Sequence, residues 1–176
     1  MALVTEDGSG QSTAESYISV AAADTYHDNR GNTTWLDITT AQKEEALRRA
    51  TDYMVAVYRL RWKGVRMTAT QALDWPRGYV YTQPFLNGAT TDFPYLVANN
   101  IVPTDIARAA AEFALLASAG DLSPPLGRPT IQETVGPITV RYADNSRQTT
   151  TYRALDDMLR PYLQGEGGNS ARVVRV

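Results

Sequence analysis

Apolar positions recur every three to four residues over several stretches of the chain and alternate with polar ones over another. The strongest helical stretch runs from Thr40 to Leu60, where Ala46, Leu47, Ala50, Tyr53, Met54, Val57 and Tyr58 share one face behind a Thr39/Gln42 capping box. This spacing predicts a helix about 30 Å long at roughly 1.5 Å per residue. A second helix is predicted from Pro103 to Ala119, with Ile106, Ala109, Ala110, Phe113, Ala114 and Leu116 inward and Gly120 as its stop. Two shorter helices complete the set. Ser19 caps VAAADTYHDNR, which turns Val20, Ala23 and either Tyr26 or His27 inward before Gly31. Thr151 caps YRALDDMLRPYL, whose stripe is Leu155, Met158, Leu159 and Tyr162, with Pro161 limiting the last turn. Alternation is clear only in TIQETVGPITVRYA, a β-hairpin around Gly136 and Pro137.

Between the long helices lies TQALDWPRG. Thr68 and Gln71 repeat the capping-box spacing and predict one more short helical turn, while Pro76 drives Trp75 to an extended conformation and stops it. Gly78 to Asn100 reads as a long surface loop with room for a short strand at YVY, and Trp35 falls in another loop. TEDGSGQST near the start reads as flexible, and GEGGNSARVVRV at the end as a tethered arm. The expected architecture is mainly α, a small bundle of about four helices with a long loop, a β-hairpin and an extended C-terminal arm. Its expected segments are a flexible stretch over 1–15, a helical domain over 16–164 and the arm over 165–176.

Composition narrows the chemistry. In 176 residues, 43% hydrophobic content suffices for one core. With 17 Lys+Arg against 19 Asp+Glu, the net charge of −2 gives no global field toward nucleic acid, so any DNA contact must be local. The absence of cysteine and the presence of a single histidine, His27, exclude disulfides, thiolate zinc sites and histidine-rich metal sites. No phosphate-cradling glycine loop is present, and no metal or cofactor is expected. The first residues lack the pattern of a signal peptide and no stretch approaches a membrane span, so a cytoplasmic protein without membrane contact is expected.

His27 and Asp24, three residues apart, form either half of a catalytic triad or a helix-surface contact, and the second is the ordinary outcome. Asp156/Asp157 and Glu44/Glu45 lie near helix starts, where negative charge suits the dipole. No catalytic set emerges, and an enzyme is not expected. Arg59, Arg61, Lys63 and Arg66, interleaved with Tyr58 and Trp62, are the candidate DNA contacts, because aromatic and cationic surfaces bind single strands by stacking. The competing reading places these cations at a helix end with their stems over aromatic faces. Trp35, Trp62 and Trp75 read as core or interface anchors. Arg61, Trp62, Trp75 and Arg77 are assigned to subunit or loop packing, with Trp75 pinning the loop after Gly78 and Arg77 free for a neighbour.

Taken in order, SYISVAAADTYHDNRG, KEEALRRATDYMVAVYRLRWKGVRMTATQALDWPRG, IVPTDIARAAAEFALLASAGDL, ETVGPITVRY and LDDMLRPYLQG resemble the head-to-tail adaptor (neck, head completion) proteins of tailed phages, some of which carry the label DnaT-like single-stranded-DNA-binding protein. The resemblance covers about Ser16 to Gly165. It implies a virion protein made in the bacterial cytoplasm and assembled at the portal vertex as a homo-oligomeric ring of about twelve copies. Such a ring would extend the double-stranded DNA channel, neutral or acidic in lining, and dock a tail-side neck or tail protein. In that reading Val173, Val174 and Val176 of the arm bury apolar surface on the portal protein, and Arg172 and Arg175 pair with its acidic groups. The alternative function is a single-stranded-DNA-binding accessory of replication using Arg59, Arg61, Lys63, Arg66 and Trp62.

Overall fold

A computed structural model describes residues 2–82, 96–124 and 150–164, together with the backbone of 132–135 and 138–141. The chain is mainly helical. In order it forms α1 (Val20–Asp28), α2 (Thr33–Leu36), α3 (Thr40–Tyr58), β1 (Val65–Arg66), β2 (Arg77–Gly78), α4 (Thr104–Ala119), β3 (Gln132–Val135), β4 (Ile138–Arg141) and α5 (Arg153–Leu159), with a 3-10 turn over Arg160–Tyr162.

The centre of the fold is the α3/α4 pair; α5 and α2 pack on α4, and α1 packs on both α3 and α4. Alanines let the helices approach closely: Ala46 and Ala50 of α3 and Ala109, Ala110, Ala114 and Ala117 of α4 are buried alongside Leu47, Met54, Ile106 and Phe113. The Thr39/Gln42 capping box closes at the start of α3, with the Gln42 N–H donating to Thr39 Oγ1 and the Thr39 N–H to Gln42 Oε1. At the far end of α4, Arg49 donates to the carbonyls of Ala117 (2.7 Å) and Gly120 (2.8 Å), supplying the cation and donors that a helix C-terminus lacks. The hairpin is antiparallel, with Val135 opposite Ile138; its Gly136/Pro137 corner lies outside the described residues.

Several details depart from the sequence pattern. Val57 and Leu116, assigned inward, are exposed, because the stripe that α3 and α4 share is narrower than their apolar content. Trp35 sits on α2 rather than in a loop, completely buried, and donates its indole N–H to Asp24 at 2.8 Å. Thr151 makes no cap; Tyr152 precedes α5 with no side-chain bond to the helix start. The stretch read as a flexible lead-in has a defined path. Glu6 is buried and accepts the N–H groups of Gly8, Gly10 and Gln11, each at 2.9 Å, so its carboxylate organises a loop that Thr5 and Ser16 close as a bridge. Gly8 has φ +99, and a Cβ there would lie 2.1 Å from the Asn100 carbonyl oxygen, which makes glycine obligatory.

Candidate nucleic-acid interface

Residues 59–82 leave α3 and return as a folded corner. The Arg61 N–H reaches back to the Tyr58 carbonyl at 2.8 Å, and Trp62 then turns into the core. Residues 61–63 pair with 162–164: the Lys63 N–H donates to Tyr162, the Gln164 N–H to Arg61, and Trp62 bridges Leu163. The short ladder of β1 with β2 follows, Val65 opposite Gly78 and Arg66 opposite Arg77. Gly64 enters it at φ +67, where a Cβ would meet the Gly78 oxygen at 2.1 Å. The Thr68/Gln71 box forms both of its bonds but starts no helix. Gln71 is buried, and its amide instead donates to the carbonyls of Leu73 and Pro76, spending the side chain on the turn. Trp75 precedes a cis Pro76, is fully buried, and meets Trp62 and Tyr162 edge to face at 5.8 and 5.6 Å.

Arg77 is not free. It is buried, with Nε donating to the Lys63 carbonyl (2.7 Å), Nη2 to Gly64 (2.7 Å) and Nη1 to Asp74 (3.3 Å), and burial lowers its pKa from the usual guanidinium value. The guanidinium thus holds the corner together from inside.

The four candidate cations meet different fates. Arg59 donates Nε to Oδ1 of buried Asp74 at 3.0 Å, while its own side chain stays 46% exposed. Arg61 lies over the Tyr58 ring, 5.3 Å from its centroid, and has no carboxylate at ion-pair distance among the described residues. Lys63 Nζ donates to the carbonyls of Tyr81 (2.9 Å) and Pro161 (2.7 Å), and Arg66 Nη2 donates to the Gln71 carbonyl. Carbonyls orient a cation without cancelling it. Within residues 59–82, Arg59, Arg61, Lys63, Arg66 and Arg77 therefore face the single carboxylate of Asp74, a local excess of positive charge on a chain whose total is −2.

The aromatic partners differ from those the sequence suggests. Tyr58 and Trp62 are buried, so neither offers a ring face to a base. Tyr79 does. It is 75% exposed and held at φ 61, a left-handed conformation uncommon outside glycine. It follows Gly78, which pairs with Val65, and precedes Tyr81, whose carbonyl takes Lys63 Nζ; the ring is therefore carried between the backbone of β1 and the Lys63 anchor. Exposed Val65 and Met67 lie on the facing segment.

A family model described as "Putative DnaT-like ssDNA binding protein" matches residues 1–176. The chain belongs to that family. No similar curated protein and no similar solved structure was found. Membership corrects the adaptor resemblance: the family description names single-stranded DNA, and nothing found supports a virion connector. The ring of about twelve copies, the portal and tail-side partners, the double-stranded DNA channel and the place in a virion neck fall with it. The shared motifs mislead because helix caps, alanine-rich helix pairs and a Trp-Pro corner record how a chain packs, which many assemblies have in common.

For this member of the DnaT-like family, the remaining sequence candidates fall into three groups. His27 and Asp24 do not pair. One His27 ring nitrogen, Nε2, is 3.1 Å from the Ala111 carbonyl and Nδ1 is 3.0 Å from the Asn32 amide, which fixes a neutral ring protonated at Nε2; Asp24 is taken by Trp35 and by Lys43 Nζ at 2.9 Å. Burial lowers the His27 pKa. Glu44 meets Arg48, and Asp157 meets Arg153 and Arg160, while Asp156 accepts the Tyr58 hydroxyl at 2.7 Å. Arg172, Val173, Val174, Arg175 and Val176 lie outside the described residues, as do residues 83–95 of the long loop. Among the described residues no cluster of His, Cys, Asp and Glu could hold a metal ion, and no helix is long and apolar enough to cross a membrane.

Tyr79 is the exposed aromatic of the corner that the sequence pattern does not single out. The one sequence sign is the run Tyr79-Val80-Tyr81 just after Gly78, an apolar valine, here buried, between two aromatics.

Proposed function

We propose that this protein binds single-stranded DNA as an accessory of replication, through the corner at residues 59–82. The observation that carries the reading is the exposed Tyr79 ring on a corner, residues 59–82, in which five cations meet the single carboxylate of Asp74. Arg59, Arg61, Lys63 and Arg66 supply attraction for phosphates, and Tyr79 supplies a sequence-tolerant stacking surface. Membership of the DnaT-like family supports the same reading.

Three features suit single strands rather than duplex. Bases of a single strand are free to stack on Tyr79, whereas a duplex presents none. A net charge of −2 gives weak general attraction to the dense charge of double-stranded DNA. Lys63 and Arg66 are held by carbonyls, Arg59 by Asp74, and Tyr79 directly follows Gly78 of the β1/β2 ladder, so the surface is ordered before the strand arrives and less is lost on binding.

Fluorescence anisotropy with a labelled oligonucleotide, single-stranded and then annealed to its complement, tests the proposal. The single strand should bind more tightly, and Tyr79→Ala should weaken it by about 1–3 kcal/mol without changing the melting temperature. Equal affinity for both forms, or an unaffected Tyr79→Ala, would refute it.

A further inference from the structure

Beside the corner, a cleft of about 380 Å³ opens between α3 and the start of α5, and nothing above uses it. Tyr53, Tyr58, Tyr152, Arg61, Thr150 and Asp156 are among the residues lining it. Tyr58 forms the floor, closed to solvent, with its hydroxyl given to Asp156 Oδ1. Tyr53 and Tyr152 are only half-buried. They meet edge to face at 5.8 Å and 84°, so the face of one ring and the edge of the other stand at right angles across the cleft wall. Phe113 braces both rings from behind, at 5.1 and 5.6 Å, and the Tyr152 hydroxyl is fixed on the Leu122 carbonyl at 2.9 Å.

We infer that this cleft is a nucleobase subsite for one residue of a bound single strand, and that it prefers bases carrying an exocyclic amino group. The inference rests on the single-strand reading above and deepens it. Arg61 belongs to both places: it is one of the corner cations and it also lines the cleft, with no carboxylate at ion-pair distance among the described residues. A phosphate held by Arg61 would deliver its own base to the tyrosines. The volume admits one nucleoside and the walls combine aromatic faces with a few polar groups, as small-ligand sites do. Asp156 sets the preference. One of its oxygens accepts from Tyr58, and the carboxylate is left to accept further N–H donors, which the amino groups of cytosine, adenine and guanine supply. Thymine has no amino group, and its one donor on that edge, N3–H, lies between two carbonyls that a carboxylate repels, so it makes the poorer partner.

The test compares ten-residue oligo-dC, oligo-dT and an abasic strand of the same length by anisotropy, on the full-length protein. Oligo-dC should bind at least about fivefold tighter than oligo-dT, since a hydrogen bond to a charged acceptor is gained with one and lost with the other. Asp156→Asn keeps an oxygen for Tyr58 but adds an amide donor, and should bring that ratio close to one. Tyr53→Leu and Tyr152→Leu, each checked for folding by circular dichroism, should weaken oligo-dC about tenfold and leave the abasic strand unchanged. Wild-type protein that binds oligo-dC and oligo-dT equally, or folded tyrosine variants that bind oligo-dC as wild type does, overturns the subsite while single-strand binding stands. A wild type that binds none of the strands overturns both.

Discussion

Arg59 Nε stands 3.0 Å from Oδ1 of Asp74, a carboxylate with no solvent exposure, and so ties the end of α3 to the Trp75 corner. The Asp74 N–H is held in turn by the Tyr17 hydroxyl at 3.0 Å, whose pKa is raised first by burial and then by the Asp74 charge. Asp74→Ala removes a buried acceptor from a charged donor and should cost about 1.5–3 kcal/mol. At roughly 2–4 °C per kcal/mol for a chain of this size, the loss is visible in a melting curve. Asp74→Asn keeps the shape and deletes the corner's one negative charge. It should lower stability less and tighten single-stranded DNA binding at low salt; a weaker complex would count against an electrostatic role for the corner.

Trp75 is an interior residue, packed against Trp62 and Tyr162. Trp75→Ala should destabilise by about 3–5 kcal/mol. Trp75→Phe, which leaves an aromatic edge against both neighbours, should cost less. Chemical denaturation of the two variants checks the order, and equal midpoints would mean that the ring contributes little to the corner.

Much of the fold was legible in the sequence for a physical reason. The helices α3 and α4 bury stripes at helical spacing, and Thr39/Gln42 marks a start by its own chemistry, so local pattern and tertiary packing agree. The corner was not legible, because its bonds are made across sequence. Gln71 looked like a cap and became a clamp on Leu73 and Pro76; Arg77 looked free and bonds Lys63 and Gly64, fourteen and thirteen residues earlier. For the candidate site, the clustering of Arg59, Arg61, Lys63 and Arg66 is visible in the sequence, whereas the exposed aromatic is Tyr79 rather than the interleaved Tyr58 or Trp62. Trp62 had the right chemistry at the right spacing, but the pairing of 61–63 with 162–164 turns it inward, and a contact 101 residues distant leaves no local trace.

His27 makes a pH prediction. Its ring is buried and neutral, with the pKa lowered from 6.5 chiefly by desolvation. The unfolded chain therefore binds a proton more readily than the folded one, and stability rises with pH through this range. The full contribution is present above about pH 6.5 and is lost as pH falls below it toward the folded value. Melting temperatures from pH 7.5 down to 5 should fall for the wild type and flatten for His27→Gln, which keeps a donor for the Ala111 carbonyl. Parallel profiles would show that His27 is not the titrating group.

The claim that the 59–82 corner is the single-strand interface is tested most directly by the salt dependence of binding. Four phosphate contacts from Arg59, Arg61, Lys63 and Arg66 predict a slope of log K against log salt of about −3 for single-stranded DNA, at roughly −0.7 per contact. Arg61→Gln, which breaks no ion pair among the described residues, should reduce that slope by about 0.7 and leave the melting temperature unchanged. A slope near zero, or one that Arg61→Gln does not alter, would contradict the assignment.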